Sequence, residues 1–343
     1  MNAGLVRPER LGPALAAALG DDAWRGFTAE LIAGGKSNLT FRLRSAAGEV
    51  ILRRPPDGEL RPSAHDMGRE CRVQTALAST PVPVPEILLN DAGGELIGVP
   101  SYVMSAVPGV VVRDALPPGF PVDLRALARG LVDALAAIHS VDVEKAGLGD
   151  FGRAEGYLSR QIRRWSRQWE AVGQDGVLAV GELAAALAAA VPERTGQSLV
   201  HGDFRLDNCV LDPARPGVIN AVLDWEMSTL GDPLADLGLL LFYWREPGEQ
   251  PWRLAPSITR TLGFPRRAEI AAWYAEATGA DLSHLTVYLA LAHLKFAVIT
   301  EDINVRVRSG AMAGQDFGDL TGESARIAEA GLDLLASSPT GRV

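Results

Sequence analysis

The sequence predicts an α+β protein of two lobes: a small antiparallel β-rich lobe over residues 1–105 and a larger, mostly helical lobe over 106–343. Three observations carry that prediction. Short strand-like runs separated by glycine-bearing turns fill the first part of the chain. Helical periodicity takes over after Val107-Pro108-Gly109. Residues 199–237 then read as a turn-dense hairpin ringed by acidic and amide side chains.

In chain order, residues 27–33, 39–44 and 49–53 are separated by Gly34-Gly35 and Ala46-Ala47-Gly48, which suggests an antiparallel meander. A helix is expected over 64–78, with Met67, Cys71, Gln74 and Leu77 on one stripe. Pro81, Pro83 and Pro85 end it, because proline cannot continue a helix. Strands are expected over 87–89 and 99–104, joined by turn-rich residues 90–94, and the lobes divide near 105–109. Leu124, Leu127, Leu131, Leu135 and Ile138 mark a helix over 122–140, followed by helices over 157–171 and 177–190. Beyond the hairpin, helices are expected over 233–244, 266–278, 285–306 and 322–336. The leucine-alanine run at 15–19, preceded by Pro8 and Pro13 and followed by Asp21-Asp22, suits a short surface helix better than a targeting segment.

With 343 residues, 47% hydrophobic and 22% charged, the chain has the composition of a globular protein with a sizeable core. Its net charge of -9 speaks against a dedicated nucleic-acid binder. The longest aromatic-aliphatic run, 237–244, is too short to span a bilayer. Cys71 and Cys209 are far apart and form no zinc or disulfide pattern, so a reduced, cytoplasmic setting is expected. The expected partner is therefore a small molecule, not a nucleic acid or a membrane.

The hairpin carries the chemistry. Asn208 opens the run Cys209-Val210-Leu211, Asp224 closes the run 218–223, and turn residues fill 212–217. A hairpin folded near Pro216 brings Asn208 and Asp224 side by side, with Asp203 just upstream. Two oxygen ligands and a neighbouring carboxylate suit Mg²⁺-dependent phosphoryl transfer.

The run His201-Gly202-Asp203-Phe204-Arg205-Leu206-Asp207-Asn208 has the form H-G-D-x-x-x-x-N. It is followed by Val222-Leu223-Asp224-Trp225-Glu226 and by Gly231-Asp232-Pro233-Leu234-Ala235-Asp236-Leu237. These motifs, in this order, resemble the aminoglycoside and choline phosphotransferase superfamily, which has a protein-kinase-like fold. The resemblance implies transfer of the ATP γ-phosphate to a hydroxyl. Asp203 would orient the hydroxyl and accept its proton, Arg205 would neutralise the transferring group, and Asn208 and Asp224 would hold Mg²⁺. His201 would support the loop. Of Asp232 and Asp236, one is expected to cap the helix opened by Pro233 and the other to brace the catalytic loop. A protein kinase fits less well, because Gly231-Asp232-Pro233 follows Asp224 too closely for the usual activation loop.

The resemblance places the nucleotide on the N-terminal half. Gly34, Gly35, Ser37 and Asn38, in Gly34-Gly35-Lys36-Ser37-Asn38, would meet the phosphates. This loop departs from G-x-G-x-x-G but is similar to the GG-x-SN loops of several small-molecule kinases. Arg53 stands where the family usually has lysine and shares a strand face with Ile51; Arg54 on the other face is the alternative cation. Glu70 would pair with the cation. Residues 102–105 are expected to form the connector that meets adenine, with Met104 either at the nucleotide or in the core.

Residues 157–169 are unusual. Leu158, Ile162, Trp165 and Trp169 form an apolar stripe, and Arg160, Arg163, Arg164 and Arg167 a cationic one. Together with Leu52-Arg53-Arg54-Pro55-Pro56 and the region of Glu70, this helix is similar to phosphotransferase-like proteins related to the kinase-like domain of some acyl-CoA dehydrogenases. That resemblance implies a hydroxyacyl-CoA-type acceptor, with the arginines either holding CoA phosphates or forming a solvated face. An aminoglycoside acceptor would instead need an acidic cluster, for which Asp316, Asp319 and Glu323 are candidates. A nucleotide-binding pseudokinase is the third reading, motivated by Arg53 and the atypical glycine loop. His139 is read as a packing and capping residue, Cys209 as a buried inert thiol, and Trp244, Trp252 and Trp273 as core or pocket-wall residues.

Overall fold

The computed structural model describes residues 3–32, 38–56, 66–120, 123–172, 177–193, 195–310, 312 and 317–337. Short helix α1 (Ala3–Val6) and α2 (Pro8–Leu19) precede strands β1 (Thr28–Leu31), β2 (Leu39–Ser45) and β3 (Gly48–Arg54). Helix α3 (Met67–Leu77) follows, then β4 (Ile87–Asp91) and β5 (Ser101–Ser105). The five strands form one antiparallel sheet in the order β1-β2-β3-β5-β4. Alternation along β3 sends Val50 and Leu52 to a core shared with Leu11 and Leu15 of α2, and Ile51 to the opposite face, with Met67, Cys71, Tyr102 and Met104.

Two local expectations are corrected. Pro8 and Pro13 lie inside α2, at its first position and on an exposed face, while Leu11 and Leu15 are buried. Residues 102–105 belong to β5, not to a connector: Ile51 pairs with Met104 and Arg53 with Tyr102, and Ser105 N–H donates to Glu86 O. Their backbone groups are thus taken by the sheet.

The rest is mainly helical: α4 (Leu124–His139), α5 (Tyr157–Val172), α6 (Leu178–Ala189), α7 (Pro233–Tyr243), α8 (Arg267–Thr278), α9 (Leu285–Arg308) and α10 (Glu323–Ser337). Three short strands escape the sequence pattern because two or three residues show no periodicity. They are β6 (Val110–Val111), β7 (Ser198–Val200) and β10 (Thr229–Gly231). β7 pairs with β10, and β6 flanks the hairpin of β8 (Cys209–Leu211) and β9 (Ile219–Val222). Gly130 of α4 lets the hairpin turn approach: a Cβ there would sit 1.9 Å from Gly217 O. No helix among the described residues is long and apolar enough to cross a membrane.

Helix α9 runs through the core, and its His293 stands edge-on to Phe242 and Trp252 while donating from Nδ1 to Leu289 O. Burial holds this imidazole neutral, with its pKa lowered to about 4. The unfolded chain takes up the proton near pH 6.5. Between these values the unfolded state binds more protons, so stability falls as pH drops through the window, by on the order of 3 kcal/mol in total. Urea denaturation across that range is expected to show this loss in the wild type and not in His293→Gln. Parallel pH profiles for the two proteins would contradict it.

Candidate active site

The catalytic loop is built on a glycine and an aspartate. Gly202 has φ +82, and a Cβ would lie 2.5 Å from Met227 O, so the HGD turn requires glycine. Asp236, in the first turn of α7, is 1% exposed and reaches back under the loop. It accepts from His201 N–H at 2.6 Å and Gly202 N–H at 2.8 Å, and His139 Nε2 lies 3.2 Å away. Burial opposes its ionisation, but His139 and these donors hold it below the usual carboxylate range. Asp232 caps α7 by accepting from Leu234 N–H, and also accepts from Gly196 N–H and Tyr288 O–H. The expected division between cap and brace is thus found, with Asp236 the brace. His201 supports the loop, donating from Nε2 to Leu223 O and accepting Asp203 N–H at Nδ1.

Asp203 sits at the loop's end. Its Oδ2 accepts from Arg205 Nε at 3.2 Å and Asn208 Nδ2 at 3.3 Å, and Tyr243 O–H points at Oδ1 from 3.4 Å. Asn208 also donates to Asp203 O at 2.8 Å, which leaves its Oδ1 for another partner. Arg205 bridges Asp203 and Asp207; burial opposes its charge, but these carboxylates raise its pKa.

The hairpin registers Cys209 against Val222, and Leu223 N–H donates to Asn208 O at 2.8 Å, so Asn208 and Asp224 meet at its open end. Asp224 is one of only two described non-glycine residues with positive φ (+67), a conformation aspartate tolerates better than most. Its Oδ1 accepts from Arg53 Nη2 at 2.9 Å. The same nitrogen lies 3.2 Å from Glu70 Oε1, on α3. Burial works against the Arg53 charge, but Glu70 and Asp224 outweigh it and raise the pKa. Arg53 Nε is buried without a hydrogen-bond partner. Arg54 faces the other way, donating to Pro55 O and Leu5 O. Asn38 Nδ2 crosses to Glu226 Oε2 at 3.1 Å.

Residues 28–272 match the phosphotransferase enzyme family. The chain belongs to that family. It is 36% identical over 305 residues to acyl-CoA dehydrogenase family member 11 of Rattus norvegicus, covering 88% of this chain and 39% of that relative. The Homo sapiens protein of the same name is 35% identical over 304 residues, with the same coverage. The chain therefore spans about two fifths of the length of these curated relatives. A solved structure from Ralstonia eutropha JMP134, named "putative aminoglycoside phosphotransferase", is 32% identical with a TM-score of 0.77, covering 91% of this chain and 93% of that one. The aminoglycoside phosphotransferase APH(4)-Ia, in a ternary complex with AMP-PNP and hygromycin B, shares the fold at 19% identity and a TM-score of 0.63, covering 95% of this chain and 99% of that one.

In this chain Arg53 joins Glu70 and Asp224, Asp203 joins Arg205 and Asn208, and the hairpin backbone holds Asn208 next to the strand end that carries Asp224. Met104 is 6% exposed and packs with Met67, Cys71 and Tyr102 below the sheet. Gly34, Gly35 and Ser37 lie outside the described residues, as does Asp316. Of the acidic residues considered for an aminoglycoside, Glu323 is buried and accepts from Arg326 and from Arg253 N–H, and Asp319 accepts from Thr321 N–H. Cys209 is fully buried, and burial pushes its thiol pKa up.

Sequence reasoning missed Tyr243 and Lys295. Tyr243 contacts the Asp203 carboxylate, and Lys295 Nζ donates to Gly202 O at 2.8 Å. Both come from helices distant in sequence, and only the packing of α7 and α9 beside the loop reveals them. A cavity of about 600 Å³ opens next to Gly202, between α5 and α9. Arg160 and Arg164 of the arginine stripe line it; Arg163 and Arg167 do not.

Proposed function

We propose that this chain is an ATP- and Mg²⁺-dependent phosphotransferase that transfers the γ-phosphate to a hydroxyl of a small molecule, of the hydroxyacyl-CoA type. The observation that carries the reading is the meeting of Arg53, from the sheet, and Glu70, from α3, with Asp224 of the hairpin segment, where Asn208 in turn holds Asp203. Its natural setting is the cytoplasm, in keeping with two free, buried cysteines.

The residues fit the group they would hold. Asn208 Oδ1 and Asp224 would bind Mg²⁺, which when bound offsets phosphate charge. The unpartnered Arg53 Nε suits a phosphate oxygen. Arg53 makes the ion pairs expected of a lysine there, which weakens the pseudokinase alternative. Asp203, steadied by Asn208 and Tyr243, orients the acceptor hydroxyl and takes its proton as the new P–O bond forms, while the bond from the γ-phosphorus to the bridging oxygen breaks and ADP leaves with that electron pair. Arg205 stands beside it to balance developing negative charge. The arginine-lined cavity favours an anionic acceptor over a cationic antibiotic.

With Mg-ATP present, hydroxyacyl-CoAs are expected to support ADP release and aminoglycosides are not. A coupled ADP assay over both classes tests this, and turnover with aminoglycosides alone would overturn the choice of acceptor.

A further inference from the structure

The cavity beside Gly202 carries more positive charge than its surroundings neutralise. Arg153, Arg160 and Arg164 line it together with Lys295, and none of the four forms an ion pair with an acidic side chain among the described residues. Three acidic residues also line it, and each is engaged elsewhere. Asp66 caps α3 by accepting Arg69 N–H, Glu226 accepts from Asn38, and Asp236 holds the catalytic loop. Arg160 donates to the carbonyls of Arg153 and Glu155 and forms no ion pair among the described residues.

Lys295 is the innermost of these cations. It spends one N–H on Gly202 O, next to Asp203, and its ammonium lies 6.0 Å from the Trp165 ring. Two donors remain for a ligand. Burial lowers its pKa, Arg164 and Arg205 push the same way, and Asp203 and Asp236 pull against them. Arg164 extends from α5 at the exposed rim.

We propose that Lys295 and Arg164 form an anion-receiving subsite that fixes which acceptors bind, taking a carboxylate or phosphate oxygen of the acceptor while its hydroxyl reaches Asp203. This deepens the phosphotransferase reading and rests on it only for the placement of the hydroxyl. The anion has two possible sources: the carboxylate of a free hydroxy acid or the phosphates of a CoA carrier.

The test is calorimetric binding with Mg-ADP saturating the nucleotide half, using coenzyme A, a short free hydroxy acid and uncharged pantetheine. At least one charged probe is expected to bind about tenfold or more tighter than pantetheine. Lys295→Met and Arg164→Ala each lose most of that preference, whereas Arg167→Ala, outside the cavity, keeps it. Preference for coenzyme A assigns the phosphates, and preference for the hydroxy acid assigns the carboxylate. Equal binding of charged and neutral probes, or an equal loss in Arg167→Ala, overturns the proposal. Arg164 is exposed, so its variant guards against a folding defect in Lys295→Met. Retained charge preference without turnover on any acceptor would sink the phosphotransferase reading and leave the subsite standing.

Discussion

Asp203→Asn is expected to lower turnover by about 10²–10⁴-fold, the usual contribution of a general base, with ATP affinity unchanged. The substitution keeps the side chain's shape but removes its ability to take a proton. It also turns an amide toward Arg205 Nε or Tyr243 O–H, which now donate to carboxylate oxygens. The nucleotide contacts proposed for Arg53 and Asp224 are untouched, so the loss falls on kcat. Steady-state ADP release, with a melting curve to show that the fold persists, checks it. Unchanged turnover in an active preparation would mean that another group is the base.

The second large effect lies beneath the loop. Asp236→Ala removes the acceptor of the buried His201 N–H and the half-buried Gly202 N–H and the partner of the His139 side chain. Breaking such a buried charged network costs about 3–5 kcal/mol, because the remaining polar groups stay buried and unpaired. The expected result is a markedly lower denaturation midpoint together with a loss of turnover, since Gly202 and Asp203 are no longer fixed. Asp232→Ala should also destabilise, by removing a helix cap and the Tyr288 contact, but should leave more of the turnover intact. A loss under about 1 kcal/mol for Asp236→Ala would show that the loop does not depend on it.

These two residues also show what the sequence made legible. Asp203, Asn208 and Asp224 stand out because loop, hairpin and motif spacing are local properties, and the hairpin forms with Asn208 and Asp224 at its open end. Asp232 and Asp236 were legible as a pair because Pro233 fixes the helix start between them. Arg53 against Arg54 was not decidable from alternation, since both side chains are buried and both faces of β3 are covered. Only the positions of Glu70 and Leu5 O separate them. Tyr243 and Lys295 were invisible for another reason: their meaning lies in helix packing across long sequence separations. The arginine stripe was seen as a pattern, but only Arg160 and Arg164 face the cavity, a division that the position of α9 decides.

The most direct measurement of the central claim is the fate of the γ-phosphate. With γ-labelled ATP, Mg²⁺ and a hydroxyacyl-CoA, mass spectrometry should find one phosphoryl group on the acceptor hydroxyl and one ADP per product, and Asp203→Asn should slow the formation of both by the same factor. Mg-ATP binding without any phosphorylated acceptor across the hydroxyl panel, or label released only as inorganic phosphate, would contradict it.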